Sequence, residues 1–273
     1  MTDVAVVIPA FNGGQRLRGA VASVLCQSFD SFELVVVDDG GTDDLTWVER
    51  TDARVRLVRQ RNAGVSAARN TGVAATTAPL VAFLDQDDIW YPTKLELQLQ
   101  TIASAAMCLT DFWWVGSDRL LATREGPTTR AYLISGGHFC LSSMMLTRDA
   151  FNAAGGFVPG MRIMQDFDLG IKVLAAGPSA HVHVPLVDYH LHDGNVSADF
   201  RLAHRERADV LKTNATRSEK GLLKQGLQDT NRLYAAQAIQ AFRRTRSPKD
   251  LAFAARLDSK QTLTAVLAKL LAR

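Results

Sequence analysis

Cysteine is scarce in this chain. Cys26, Cys108 and Cys140 are the only three in 273 residues, and they lie far apart. An odd, scattered set excludes a disulfide framework and implies a reducing compartment, with the thiols packed as small core side chains. No apolar run reaches membrane-spanning length. No basic stretch precedes the apolar run at 4–8 and no cleavage pattern follows it, so no signal peptide is expected. The chain also lacks G-x-G-x-x-G after its first strand-like run and G-x-x-x-x-G-K-[ST] anywhere. Dinucleotide-fold and P-loop phosphate cradles are therefore disfavoured. Repeats and low-complexity tracts are absent too.

What is present is an ordinary globular composition, 47% hydrophobic and 22% charged, with an uneven spread of charge. Residues 1–200 carry 15 Lys/Arg against 22 Asp/Glu, whereas residues 201–273 carry 16 against 6. An acidic body with a basic tail points to anionic membrane lipid or an anionic substrate, or else to solvated helix faces.

Strand and helix signals alternate through the first hundred residues. Strand runs at 4–8, 33–37, 55–58 and 80–84 are separated by helical spacing at 14–27 and 65–75, and Pro92 opens a further helix to 104. This pattern predicts βαβ crossovers: an α/β fold with a mostly parallel sheet and helices on both faces. Beyond 105 the order changes. Strands are expected at 107–115, 141–146 and 181–192, helices from 148 and from 165, and a polar loop over the site at 115–137. From about 200 onward only helical signals remain, ending in a helix at 262–272.

The run L-V-A-F-L-D-Q-D-D at 80–88 is an apolar strand that stops on carboxylates. Side chains alternate along a strand, so Asp85 and Asp87 face one way and Asp88 the other. Two oxygen ligands on one face suit Mg2+ or Mn2+. An acidic turn is the alternative, and Asp88 is expected to cap the turn before Ile89. Ligands of open α/β sheets bind beyond the carboxyl ends of the strands. Pro9, Ala10, Phe11 and Asn12 end the first strand, Asp38 and Asp39 the second, and Asp85 to Asp88 the fourth. Together they offer an aromatic, acids for a base edge, and a cation to neutralise a diphosphate.

The runs V-V-I-P-A-F-N (6–12), V-V-V-D-D-G (35–40), R-N-A-G-V-S-A-A-R-N-T-G (61–72) and F-L-D-Q-D-D (83–88) resemble family 2 of the glycosyltransferases. Three later segments agree, at 142–157, 165–169 and 189–197. The resemblance spans roughly residues 3–198 and implies a GT-A fold: Rossmann-like, with a mostly parallel mixed sheet. It divides the chain into a catalytic domain at 1–200, with a nucleotide-sugar-binding half (1–104) and an acceptor-binding half (105–200), and a basic helical extension at 201–273.

By that resemblance, Pro9, Ala10, Phe11, Asn12, Asp39, Arg69, Asp85 and Gln86 bind the nucleotide. Asp85 and Asp87 form the D-x-D metal motif, with His192 as a third ligand, and Asp166 is the catalytic base. The implied activity is inverting transfer from a nucleotide diphosphate-sugar, most often a uridine one, to a saccharide or lipid-linked acceptor. No nucleic-acid partner is expected. The setting is the cytoplasm or the inner membrane face, with the C-terminal helices available for peripheral membrane contact or homodimerisation. Two positions depart from the family pattern: Gly41 stands where Ser is usual, and Gln165 replaces Glu beside the base. Rival readings are a catalytically weak nucleotide-sugar-binding module and a D-x-D phosphohydrolase.

Overall fold

The computed structural model describes residues 2–116, 119–123, 125–192 and 199–264. The first unit of the chain comprises Met1–Arg130 and Phe139–Asp193. Its opening elements are β1 (Val4–Ala10), α1 (Gly14–Leu25), β2 (Phe32–Asp38), β3 (Val55–Arg59), α2 (Val65–Ala74) and β4 (Leu80–Phe83). A short β5 (Ile89–Trp90) and α3 (Lys94–Ile102) follow. Next come β6 (Met107–Val115), β7 (Arg119–Ala122), β8 (Met145–Thr147), α5 (Arg148–Ala153), α6 (Gln165–Ala176) and β9 (Ser179–His190), while α4 (Arg130–Ile134), between β7 and β8 in the chain, falls almost wholly in the second unit.

The strands form one sheet in the order β3-β2-β1-β4-β8-β6-β9-β5, with β7 paired to β6. β1, β2, β3 and β4 are mutually parallel, and β8 is antiparallel to β4 and β6. β9 runs parallel to β6, so its carboxyl end lies on the same side as those of β1, β2 and β4. This is the mixed, mostly parallel α/β sheet the sequence implied.

Side-chain alternation builds a core on each face. Val4, Val6 and Ile8 point to one face, with Leu17 of α1 and Leu95 of α3. Val7, Val35 and Val37 point to the other, with Ala68 of α2, Phe151 of α5 and Leu169 of α6. Each fully buried Val, Leu or Ile contributes roughly 1.5–3 kcal/mol. Close packing requires Gly72 in α2, where a Cβ would lie 2.3 Å from Val7 Cγ1.

Two expectations change. The stretch 115–137 is not a plain polar loop: β6 turns back into β7, and Leu133 and Ile134 of α4 are buried. Cys108 and Cys140 are core thiols, but Cys26 follows the end of α1 and is exposed.

The second unit comprises Ala131–His138 and Gly194–Arg273. Its helices are α7 (Phe200–Asn214), α8 (Lys220–Thr245) and α9 (Pro248–Leu257). Tyr234, Ala235, Ala238, Ile239 and Ala254 are buried among them. Arg207 of α7 donates to the Gly136 and Gly137 carbonyls at 2.7 and 2.6 Å. Gly226 of α8 leaves room for the Ile134 carbonyl. The helical extension is present through residue 264, and the rest of the helix expected at 262–272 falls outside the described residues. No described helix is long and apolar enough to cross a membrane.

Candidate active site

The parallel strands deliver their last residues to one edge, where the strand order reverses about β1 and β4. Just past β1, Phe11 is 48% exposed while its backbone is clamped by Gln86. Phe11 N donates to Gln86 Oε1 (2.9 Å), and Gln86 Nε2 donates to the Phe11 carbonyl (3.2 Å). An aromatic ring held rigidly in water offers a stacking face for a base.

Asn12 has φ 51° and accepts from Thr42 N at 2.7 Å. Gly41 makes this approach possible, because a Cβ there would lie 2.9 Å from Asn12 Oδ1. The departure from the usual Ser therefore has a steric account. Asp38 accepts from the backbone of Gly40 and Gly41 and so stabilises the turn.

Asp39 is buried and its carboxylate already serves the protein. Oδ1 accepts from Gln60 Nε2 and Ala63 N, and Oδ2 from Gly64 N. It ties β2 to the loop that opens α2. A carboxylate has about four acceptor positions, so one remains for a base edge.

Arg69 of α2 is 2% exposed and pairs with Asp85. Its Nε and Nη1 are buried with no acceptor among the described residues. Leaving donors of a buried guanidinium unmet is costly, and an anionic oxygen group brought beside it would satisfy them. Asp87 meets His192 Nε2 at 2.7 Å, so the D-x-D loop and the segment after β9 converge. Two carboxylates and one imidazole at a strand end are a donor set suited to Mn2+ or Mg2+. Asp85, Asp87 and His192 are the residues that could hold such an ion.

Asp88 is not the turn cap expected. It is buried, accepts from Ser142 Oγ (2.6 Å) and His190 N (3.0 Å), and so fastens the acidic loop to β9. Burial raises its pKa well above the usual carboxylate range, and the neighbouring Asp85 adds to this. Ser142 also accepts from Asp85 N. Ser142 lay within a family-like segment, but no spacing rule shows that it supports this loop.

Asp166 sits in the first turn of α6, accepting from Phe167 N at 2.7 Å. Removal from water pushes its pKa up to about 6; Arg69 opposes the rise and Asp85 adds to it. A carboxylate poised near neutrality is suited to accepting a proton. Beside it, Gln165 is buried, and its Oε1 has no hydrogen-bond partner among the described residues. Asp168 pairs with Lys172 at 2.5 Å, a structural role.

The family profile described as glycosyl transferase family 2 matches residues 5–151, more than half of the chain. The chain belongs to glycosyltransferase family 2. Among curated relatives, an uncharacterized glycosyltransferase of Rickettsia felis is 41% identical over 102 residues, 36% of this chain and 17% of that protein. An Escherichia coli UDP-Glc:alpha-D-GlcNAc-diphosphoundecaprenol beta-1,3-glucosyltransferase, WfgD, is 35% identical over 99 residues, 35% of this chain and 39% of that one. The chain thus spans well under half the length of either relative.

Among solved structures, S. aureus TarS 1–349 with UDP-GlcNAc superposes with TM-score 0.67 at 14% identity, covering 96% of this chain and 92% of that one. The mannosyltransferase PcManGT of Pyrobaculum calidifontis, in complex with GDP-Man and Mn2+, gives 0.66 at 17%, covering 98% and 79%. The family 2 chain therefore has the GT-A glycosyltransferase fold.

Proposed function

We propose that this family 2 glycosyltransferase transfers a sugar from a uridine diphosphate-sugar to an acceptor hydroxyl with inversion, in the assembly of a cell-surface polysaccharide or glycolipid. The observation that carries this reading is Arg69. It is a buried cation with two unmet donors, set between Asp85 of the D-x-D loop and Asp166. Structural neighbours at this fold are described with UDP-GlcNAc and with GDP-Man and Mn2+, which supports a nucleotide-sugar donor and a divalent ion.

In the proposed mechanism the base stacks on Phe11, its edge is met by Asp39, and the backbones of Pro9, Ala10 and Asn12 line the pocket. Asp85, Asp87 and His192 would hold Mn2+ or Mg2+, which when bound supplies Lewis-acid neutralisation of the diphosphate. Arg69 turns its unmet donors to the phosphate oxygens, whose charge grows as the sugar leaves. Asp166 orients the acceptor hydroxyl and takes its proton as that oxygen attacks the anomeric carbon from the face opposite the diphosphate. One displacement with one base gives inversion. Gln165 offers a neutral buried acceptor atom beside the base and would help hold the incoming saccharide.

The N-terminal half, 1–104, serves the donor, and 105–200 serves the acceptor. WfgD is named for a diphosphoundecaprenol-linked sugar, which supports a lipid-linked acceptor here. A lipid-linked acceptor places the protein at the inner membrane face, met by the basic residues of 201–273. Within that extension a cleft of about 420 Å³ is lined by Arg201, Lys249, Asp250, Phe253 and Arg256.

The test is a thermal-shift screen of nucleotide sugars with and without Mn2+, followed by donor-hydrolysis and transfer assays. A donor that binds raises the melting temperature, by more the tighter it binds at a given concentration. Stabilisation by a uridine diphosphate-sugar that needs Mn2+, with turnover, is the expected result. No stabilisation by any nucleotide sugar would overturn the reading.

A further inference from the structure

We propose that Asp111, His181 and His183 form a second metal site, distinct from the D-x-D loop, that takes a zinc-class divalent ion and ties β6 to β9. His181 and His183 lie two apart on β9 and so project from the same face. β6 is the parallel neighbour, with Leu109 opposite His181 and Thr110 opposite Val182. Regular pairing would then set Asp111 opposite His183, but a register shift after Thr110 brings it opposite Pro185 instead. Such irregularities re-aim a side chain. Here the Asp111 carboxylate meets His181 Nε2 at 2.8 Å.

The three side chains converge closely. One ligand atom from each lies within 4.8 Å of the others. The two imidazoles stack with centroids 4.6 Å apart and planes 27° apart. Bonds of about 2.0–2.1 Å place neighbouring ligands of a tetrahedral ion roughly 3.3 Å apart. His183 is exposed, so rotation of its side chain can close the remaining gap. Asp111 Oδ2 accepts from Thr123 Oγ1 at 2.8 Å, the kind of outer contact that orients a ligating carboxylate. Asp111 and His181 are buried to within a few per cent, whereas His183 faces solvent, leaving water to complete the coordination.

The donor set selects a different ion from that of the active site. Two imidazoles and one carboxylate suit Zn2+ and its transition-metal neighbours, whereas the D-x-D loop is richer in oxygen. The two places are also well apart. On β6, Leu109 stands opposite His181 and Val115 opposite His190, and six steps at about 3.3 Å each give roughly 20 Å of strand between them. His192, beyond the far end, is the residue that meets Asp87.

The experiment uses the full chain stripped with EDTA, titrated with Zn2+ by calorimetry and with Co2+ by visible absorption. Wild type, D87A, H183A and H183Q are compared, with folding checked by circular dichroism. The expected result is a Zn2+ site, with the visible bands of four-coordinate Co2+, that persists in D87A and is separate from any ion wild type takes up at the D-x-D loop. Affinity falls at least tenfold, and the bands vanish, in both His183 variants. Unchanged Zn2+ affinity and Co2+ bands in H183A and H183Q would overturn the proposal, leaving a hydrogen-bonded Asp–His pair with a stacked imidazole. Loss of all Zn2+ binding in D87A would overturn it as well. Failure of the active-site reading is separate, since it appears in the Mn2+ dependence of donor binding.

Discussion

Arg69 grips Asp85 from inside α2, and the donors it leaves unused are buried beside the acidic loop. The same guanidinium lowers the pKa of Asp166. Replacing it with Gln should therefore do two things at once. Donor affinity in calorimetry should fall by at least about tenfold, the loss expected of a charge-assisted contact. The acid limb of the pH–rate profile should also move upward, because Asp166 loses the cation that holds its proton affinity down. An unchanged profile with weakened binding would separate Arg69 from the base.

Asp166 supplies the second prediction. As a base it must be ionised, so turnover should rise through about pH 6 and level off above it. Stability runs the other way. Its folded pKa lies above the ordinary value of 3.8, so its favourable contribution is complete below about pH 4 and is lost as pH rises through about 6. D166N should cut turnover about 10²–10⁴-fold while leaving donor binding largely intact. It should also stabilise the fold at pH 7 by up to about 3 kcal/mol, since a unit of pKa shift is about 1.4 kcal/mol. Near-normal turnover would remove Asp166 from the role.

The third prediction concerns the ion. Asp87 and His192 meet at 2.7 Å, so the two side chains already stand together where a cation would be held. D87A should abolish the Mn2+-dependent part of donor affinity. H192A should weaken it without abolishing it, since the two carboxylate ligands remain. Equal donor affinity with and without Mn2+ in wild type would refute the assignment for all three residues.

Much of the catalytic unit was legible in the sequence because short apolar runs ending in Pro, Gly or Asp have few other solutions. The strands at 4–8, 33–37 and 80–84 and the helices at 14–27 and 65–75 appear within a few residues of those spans. What spacing could not show is long-range. Ser142 and His190 reach Asp88 across more than 50 and 100 residues, which turns an expected turn cap into a buried strut. The strand at 107–115 was legible, but β7, which pairs with it, was missed because it lies in a stretch read as polar loop. Gly41 stood out only as a departure from the usual Ser, yet it admits the Asn12 side chain.

Gly72 provides a steric test of that packing. A Cβ at this position would collide with Val7 of β1 and press on Val37 of β2. Overpacking of this kind costs about 1–3 kcal/mol. G72A should therefore lower the urea midpoint without changing the slope, and G64A, where no neighbour lies within 4 Å, should show no such clash. Gly64 has φ 87°, so its own penalty is backbone strain, about 1–2 kcal/mol. The V7A/G72A double variant tells the two apart. Removing the Val7 methyl groups should recover part of the G72A loss and none of the G64A loss.

Lys94 is fully buried at the start of α3, its ammonium 3.9 Å from the Trp90 ring centroid and donating to Gln98 Oε1 at 2.6 Å. Burial lowers its pKa from 10.5 to about 7. The folded state therefore binds fewer protons than the unfolded chain between about pH 7 and 10.5, and stability should rise with pH across that window. Below about 7 the full cost of a buried charge is carried. K94M keeps the volume, removes the charge and leaves Gln98 Oε1 without its donor. Apolar replacement of a buried charge can stabilise by about 1–4 kcal/mol. K94M should thus exceed wild type by most near pH 6, and the advantage should shrink steadily towards pH 10, where the lost bond to Gln98 leaves it no better than wild type. Denaturant titrations of both proteins at pH 6, 8 and 10 measure that slope directly. Parallel stability curves would mean that Lys94 keeps an ordinary pKa, with the Trp90 ring and Gln98 compensating for its burial.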